Sequence, residues 1–185
     1  MTGMPGAGKS TVSRALAGRL DRAVHVSADD LNAMIVSGAV WPLGAPADEA
    51  ARQVELCYRN IGAIARNSSD SGFTVIVDCV LPDGRHLERL LRQLPEQRAR
   101  LIVLAPGEAV CRRRDAGRPA GEQFAFDGYR ELDESMRQDL GGRGWWIDTS
   151  DLTVDQTADL VRGAAPGTGL VVFPGPPGRS SSSTS

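Results

Sequence analysis

Position 9 carries the only lysine of this 185-residue chain, whose 21 basic residues are otherwise all arginines. Lys9 lies in the segment GMPGAGKS, residues 3–10, which matches the pattern G-x-x-x-x-G-K-[ST] at every fixed position. In such a segment the glycines let successive backbone N–H groups point at phosphate oxygens, and the following helix adds its positive end. A compact ammonium reaches between two phosphates where a planar guanidinium would be too wide. The segment therefore predicts a phosphate-binding loop.

The loop also predicts which residues contact the nucleotide and its metal ion. The Ser10 hydroxyl is expected to bind the Mg²⁺ that bridges the phosphates, so ATP and Mg²⁺ are the predicted cofactors. Seven residues are predicted to contact the nucleotide: Gly3, Gly6, Ala7, Gly8, Lys9, Ser10 and Thr11.

Isolated carboxylates follow the apolar runs that predict strands. Asp29 and Asp30 come after residues 23–26, and Asp78 comes after residues 73–77. Ligands of open α/β sheets bind beyond the carboxyl ends of the strands, so these side chains are expected at the site. Phosphoryl transfer needs one carboxylate to take the acceptor's hydroxyl proton and another to hold the metal. We assign the first role to Asp29 and the second to Asp78, and we interpret Asp30 as a helix N-cap.

An arginine-rich segment supplies a second candidate group. It contains Arg112–Arg114 and Arg118. The transferred phosphate carries negative charge that the arginines of a mobile lid can clamp. Arg114 and Arg118 are four residues apart, so we expect them on one helical face as the catalytic pair. The alternative is a solvated basic face paired with Asp115 and Glu122.

Aromatic and histidine side chains give weaker indications. Aromatic residues outside the predicted strands lie near the expected acceptor pocket, but such residues more often belong to the core. His25 in a strand and His86 near a helix start are interpreted as structural, because no nucleophile or metal partner is evident for either. The aromatic residues are Trp41, Phe124, Phe126 and Tyr129.

Strand-like and helix-like segments alternate along the chain. This alternation predicts a parallel sheet with helices on both faces, that is, an α/β three-layer P-loop fold carrying an Arg-rich lid. The predicted strands are residues 23–26, 73–77, 101–104 and 145–148; the predicted helices are 10–20, 47–66, 87–94, 108–118 and one opened by a capping box at Thr153 and Gln156.

The first strand of this fold is apparently missing. A phosphate-binding loop normally follows a strand, yet only Met1 and Thr2 precede Gly3. We expect the true start codon to lie upstream. The alternative is that the apolar run 170–173 fills the vacant central position, parallel to its neighbours, because residues 163–169 are long enough to reach it.

Length and composition predict one domain, residues 1–163, followed by a flexible tail, residues 164–185. A net charge of −2 and a pI near 5.7 give no electrostatic footprint for nucleic acid. No apolar run reaches the ~18 residues of a membrane span, and no signal peptide precedes the loop. We therefore expect a cytoplasmic protein that binds neither nucleic acid nor membrane; three widely spaced cysteines agree with a reducing compartment: Cys57, Cys79 and Cys111.

Taken in order, five segments resemble the small P-loop kinases of the nucleoside-monophosphate-kinase-like superfamily, and chloramphenicol phosphotransferase-like proteins most of all. The likeness spans residues 1–163. It implies that Asp29 is the base toward a substrate hydroxyl, that Asp78 is the acid ending the third strand, and that residues 148–150 lie near the adenine. It also implies that Arg114 and Arg118 are lid arginines. The segments are GMPGAGKST, VSADDL, TVIVDCVL, RRRDAGRP and WWIDTSDLT.

Three functional hypotheses remain. The first is a kinase that moves the γ-phosphate of ATP to a hydroxyl of a small molecule, a metabolite or an antibiotic. The second is a polynucleotide 5′-hydroxyl kinase, which the acidic balance disfavours. The third is an ATP-binding regulatory or interaction protein without an acceptor. Asp29 discriminates among them, because a protein that only binds ATP needs no carboxylate facing the γ-phosphate.

Overall fold

Six strands and seven helices alternate over the part of the chain that the structure describes. In this computed structural model, that part comprises residues 1–42, 44–95, 99–120, 123–124, 126–164 and 167–171. The strands are β1 (Ala23–Ser27), β2 (Thr74–Asp78), β3 (Ala99–Arg100), β4 (Ile102–Leu104), β5 (Trp145–Ile147) and β6 (Leu170–Val171). The helices are α1 (Lys9–Ala17), α2 (Ala28–Ala33), α3 (Ala47–Asp70), α4 (Gly84–Gln93), α5 (Glu108–Ala116), α6 (Tyr129–Leu140) and α7 (Val154–Gly163).

Four of the strands form two parallel pairs. β1 pairs with β2 in a register that places Ser27 opposite Asp78. β4 pairs with β5 in a register that places Leu104 opposite Ile147. Each pair is parallel, so the carboxyl ends of its two strands lie at the same edge. The predicted α/β class with parallel strands is confirmed.

The first two residues of the chain join these pairs. The Met1 nitrogen donates to the Val77 carbonyl at 2.6 Å, and the Cys79 N–H donates to the Met1 carbonyl at 3.1 Å. Thr2 exchanges backbone hydrogen bonds of 2.8 and 2.9 Å with β4, to which it is parallel. The strand order is therefore β1, β2, Met1–Thr2, β4, β5. Met1–Thr2 takes the position predicted for the first strand.

The alternative prediction, that the run 170–173 fills this central position, is wrong. Leu170–Val171 forms β6, which is antiparallel to β3, with Val171 opposite Ala99. Residues 172–173 lie outside the described part of the chain. Met1–Thr2 already satisfies the backbone groups of β2 and β4 at their carboxyl ends. An apolar cavity of about 380 Å³, lined by residues of both strands, lies beside Met1.

Two pairs of helices cover the strands, as the pattern predicted. α1 packs against α7 and also contacts β1 and β2. α3 packs against α4 and contacts the same two strands. The three-layer arrangement is confirmed. Its core includes side chains with no exposed surface from four helices and from β4: Ile61, Val103, Cys111, Leu140 and Ala158.

Helix boundaries differ from the prediction at two places that matter for the site. α2 begins directly after β1, and the Ser27 hydroxyl accepts the N–H of Asp30 at 3.3 Å, so Ser27 is the N-cap and not Asp30. α5 ends at Ala116, and Arg118 lies beyond it. The expectation that Arg114 and Arg118 share one helical face is therefore wrong, because Gly117 ends the helix between them.

All three cysteines are free and buried. Among the described residues, no helix combines the length and apolar character needed to cross a membrane. The predicted flexible tail, residues 164–185, falls mostly outside the described residues.

Candidate active site

The phosphate-binding loop connects Met1–Thr2 to α1, and its shape depends on glycine. Gly6 and Gly8 have φ angles of +77° and +92°, in the left-handed region that side chains disfavour. A Cβ on Gly6 would also collide with the carbonyl of Cys111 in α5. No side chain caps α1 at its first turn, so the loop and helix leave backbone N–H groups for an anion. The loop therefore has the backbone geometry that its sequence predicted.

Lys9 is held inside this loop. Its side chain is buried, and Nζ donates to the Met4 carbonyl at 3.1 Å. Burial lowers the pKa of Lys9 below that of an ordinary lysine, whereas the nearby carboxylates of Asp29 and Asp78 act in the opposite direction. The negative charge of a bound phosphate would stabilise the charged form of this buried lysine.

Ser10 and Asp78, the two predicted metal ligands, are in contact. The Ser10 hydroxyl donates to Oδ1 of Asp78 at 3.0 Å, and Oδ2 of Asp78 meets the His25 ring at Nε2. Asp78 is only 1% exposed. A hydroxyl and a carboxylate oxygen are ligands that suit Mg²⁺, which takes few protein ligands and completes its shell with water and phosphate. The donor set therefore fits the predicted metal.

Cys79 follows Asp78 and does not extend this ligand set. It is buried, and burial raises the pKa of its thiol to about 12. The thiol is therefore protonated near neutral pH and is a poor ligand for a hard cation. In the described part of the chain, no group of three or more His, Cys, Asp or Glu side chains could hold a metal. The candidate magnesium site thus consists of Ser10 and Asp78.

Asp29 lies in the first turn of α2 and lines the same cavity as Lys9 and Ser10. The residue as a whole is exposed. Partial loss of water around its carboxylate has the largest effect on the pKa of Asp29 and raises it, the charge of Lys9 opposes the rise, and the charge of Asp78 adds to it. A carboxylate with a raised pKa is a better proton acceptor than an ordinary surface aspartate.

The two predicted lid arginines have different environments. Nη1 and Nη2 of Arg114 donate to the backbone carbonyls of Ala7 and Thr149, at 3.5 and 3.1 Å. Arg118 lines the cavity, lies 3.6 Å from the Asp115 carboxylate and covers the Phe124 ring at 5.6 Å. Arg114 therefore connects the phosphate loop to the Thr149 turn, and Arg118 is the arginine that lines the cavity.

The cavity measures about 250 Å³, and apolar side chains line it together with the phosphate loop. We call the part lined by apolar side chains the chamber. The backbone N–H of Phe124 donates to buried Asp115 at 3.0 Å, which fixes this part of the lid. The Trp41 and Phe124 rings are 5.5 Å apart, and Trp41 is 52% exposed. The chamber walls include Trp41, Val54, Tyr58, Phe124, Phe126 and Leu132.

Two histidines lie at the site, although the sequence analysis interpreted both as structural. His25 meets Asp78, and no spacing in the sequence distinguishes it from a histidine that merely faces a core. His86 lines the chamber, and its Nδ1 lies 2.8 Å from Oδ1 of Asp83. The Asp83-x-x-His86 spacing at a helix start could have indicated that contact, because the same carboxylate caps α4.

The chain belongs to the AAA domain family, which matches residues 1–142. No curated protein sequence is significantly similar to it. The tunicamycin resistance protein of Deinococcus radiodurans has a similar structure, with a TM-score of 0.61 and 19% identity, over 94% of this chain and 96% of that one.

Two kinases of known structure are also similar in fold. Shikimate kinase from Acinetobacter baumannii, solved with shikimate, has a TM-score of 0.57 and 18% identity over 87% of this chain and 88% of that one. Mycobacterium tuberculosis APS kinase, solved with AMPPNP and APS, has a TM-score of 0.59 and 19% identity over 87% and 92%. The resemblance to small P-loop kinases is confirmed, and at these identities the likeness concerns the fold.

Proposed function

We propose that this chain, through its domain 1–163, transfers the γ-phosphate of ATP to a hydroxyl group of a small molecule, a metabolite or an antibiotic. One observation carries the proposal. Lys9, Ser10 and Asp29 line a single cavity, and Asp78 is hydrogen-bonded to Ser10 at 3.0 Å. A phosphate site, a metal-ligand pair and a proton acceptor therefore meet where an acceptor can enter.

Each residue has a distinct part in the proposed reaction. Backbone N–H groups of the loop and the Lys9 ammonium bind the phosphates and stabilise the charge that grows during transfer. Mg²⁺ held by Ser10 and Asp78 would neutralise phosphate charge. Asp29 takes the proton from the attacking hydroxyl, and Arg118 of the lid contacts the transferred group.

Asp29 favours a kinase over a protein that only binds ATP. Holding a carboxylate beside a phosphate site is unfavourable, because like charges repel, and the pKa of Asp29 is raised by partial desolvation and by the charge of Asp78. A binding protein gains nothing from such a group. The acidic balance of the chain likewise gives no support to a polynucleotide acceptor. We place the activity in the cytoplasm, where the three cysteines stay reduced.

An ATP-consumption screen tests the proposal. The purified chain is incubated with ATP, Mg²⁺ and a library of hydroxylated metabolites and antibiotics, and ADP is measured for each compound. We expect ADP formation that depends on one class of compound, and we expect Lys9→Ala to abolish it. Tight ATP binding without acceptor-dependent ADP from any compound would support the ATP-binding alternative instead.

A further inference from the structure

We propose that the acceptor is an uncharged molecule with an aromatic or otherwise apolar body, and that His86 binds its hydroxyl-bearing part. This inference rests on the proposed kinase function and names the substrate class of the same site. It is carried by the walls of the chamber, by the distribution of charge in the cavity and by the geometry of His86.

The chamber walls are suited to an apolar body. α3 contributes Val54 and Tyr58, α6 contributes Leu132, and the segment before α6 contributes Phe124 and Phe126. Four of the six chamber residues named above are aromatic, and such rings bind flat apolar groups by stacking and edge contacts. An apolar pocket with few polar groups is typical of small-molecule sites.

Trp41 is the ring most open to an incoming ligand. It lies at the chamber wall with half of its surface exposed, although it contacts Phe124. Covering exposed aromatic surface with an apolar ligand removes that surface from water, which is favourable. A ligand body in the chamber would cover the open part of Trp41.

Each charged side chain among the described lining residues already has a role or a partner, so none of them is left to pair with a charged acceptor. Among the described lining residues, the charged side chains are Lys9, Asp29 and Arg118. Lys9 belongs to the phosphate loop, Asp29 is assigned to the proton, and Arg118 lies 3.6 Å from Asp115. A carboxylate or ammonium group of an acceptor would therefore be buried against apolar walls, which is strongly unfavourable.

His86 supplies a polar contact in this chamber with a defined orientation. Burial raises the pKa of Asp83, but hydrogen bonds from the His86 backbone and ring outweigh that effect, so the pKa lies below its ordinary value. Asp83 is therefore ionised and can only accept, so Nδ1 of His86 carries the hydrogen at 2.8 Å. The other ring nitrogen, Nε2, is then available to form a hydrogen bond with a ligand hydroxyl. His86 is therefore a specificity-determining residue.

Four naphthalene probes test the inference without requiring phosphoryl transfer. The neutral fluorophore N-phenyl-1-naphthylamine reports occupancy of the chamber, and 2-naphthol, 2-methoxynaphthalene and 2-naphthoate compete with it. Titrations are run with and without saturating ADP and Mg²⁺, which keep the carboxylate of the naphthoate out of the phosphate loop. We expect 2-naphthol to displace the fluorophore at a concentration at least tenfold lower than 2-naphthoate. Equal displacement by the two would overturn the uncharged class.

Single-residue variants test whether the fluorophore binds in the chamber and whether His86 binds the hydroxyl group. Trp41→Ala should weaken fluorophore binding at least fivefold, whereas Leu160→Ala, an exposed apolar residue of α7, should leave it unchanged. His86→Ala should remove the advantage of 2-naphthol over 2-methoxynaphthalene. Arg85→Ala, at the exposed neighbouring position, should preserve that advantage.

Two results with these variants would also refute the inference. Fluorophore binding that Trp41→Ala leaves unchanged would place the probe outside the chamber. A 2-naphthol advantage that persists in His86→Ala would remove the hydroxyl-binding role. Failure of the kinase proposal has a different signature, because it would appear as absent phosphoryl transfer while these binding results stand.

Discussion

Lys9 is the side chain on which phosphate chemistry depends most. We expect Lys9→Ala and Lys9→Arg each to lower ATP turnover about 10²-fold or more, because the ammonium stabilises charge on the β–γ bridge and the wider guanidinium does not fit the loop. Steady-state ADP formation measures the effect. Arg66→Ala, an exposed cation of α3, is the control and should be unaffected. Full turnover by Lys9→Arg would contradict the assignment of the loop.

Asp29 and Lys9 together predict a bell-shaped pH profile for transfer. Burial raises the pKa of Asp29 above 3.8 and lowers that of Lys9 below 10.5. Activity requires Asp29 deprotonated and Lys9 protonated, so kcat/KM, which reports the free protein, should rise with pH through the first pKa and fall through the second. Both limbs should lie inside the interval from 3.8 to 10.5. An acid limb at or below 3.8 would mean that Asp29 is not the base.

For single residues, the sequence predicts which side chains lie at the phosphate and metal sites better than it predicts which side chains contact them. The loop residues and the Ser10–Asp78 pair follow from motif and strand ends, because backbone geometry and metal chemistry limit the residue types. The contacts of His25 with Asp78 and of His86 with the chamber depend on tertiary packing, and a lone histidine in a sequence carries no record of what it faces.

The lid shows how a helix boundary changes the roles of two arginines. Arg114, within α5, holds the carbonyls of Ala7 and Thr149, whereas Arg118 lies past the end of the helix and lines the cavity. We expect Arg114→Ala to lower the free energy of unfolding by about 1–3 kcal/mol, because charge-assisted hydrogen bonds are lost. We expect Arg118→Ala to leave it within about 1 kcal/mol and to lower transfer about 10²-fold.

Denaturant unfolding and transfer rates, measured on the same samples, check this difference. Arg113→Ala, at an exposed position of the same helix, is the matched control for both and should change neither. If Arg118→Ala destabilises the protein and keeps transfer intact, the lid role belongs to another residue. The sequence could not separate the two arginines, because the spacing of four residues predicts one face only while the helix continues.

The last helix has a start that the sequence predicts fully. The Thr153 hydroxyl accepts the Gln156 N–H at 3.1 Å, and the Gln156 side chain accepts the Thr153 N–H at 2.8 Å. Thr153→Ala should therefore cost about 1 kcal/mol of stability. Urea unfolding measures this, with Val154→Ala as the control at the first helical position. Equal midpoints for Thr153→Ala and the wild type would show that the cap contributes nothing.

For the whole molecule, alternation of elements predicts the parallel sheet and its two helical layers, because only that arrangement buries both faces of the strands. The occupant of the central strand position could not be predicted in this way. Sequence pattern predicts that a strand belongs there, but two residues, Met1 and Thr2, make the hydrogen bonds to β2 and β4. The pairing of β6 with β3 is likewise set by the final packing, since a short apolar run suits several sheet edges.

We propose that the Asp29 carboxylate beside the phosphate loop makes this chain a kinase. ATP binding and phosphoryl transfer, measured together for Asp29→Asn and for the adjacent control Asp30→Asn, test it most directly. We predict that Asp29→Asn binds ATP as the wild type does, unfolds at no lower temperature at neutral pH, and transfers phosphate to the acceptor found by the screen about 10²-fold more slowly. The stability expectation follows because a carboxyl with a raised folded pKa stabilises below its unfolded pKa and loses that contribution as pH rises. Undiminished transfer by Asp29→Asn, or weakened ATP binding as its only defect, would contradict the proposed role of Asp29 as the base.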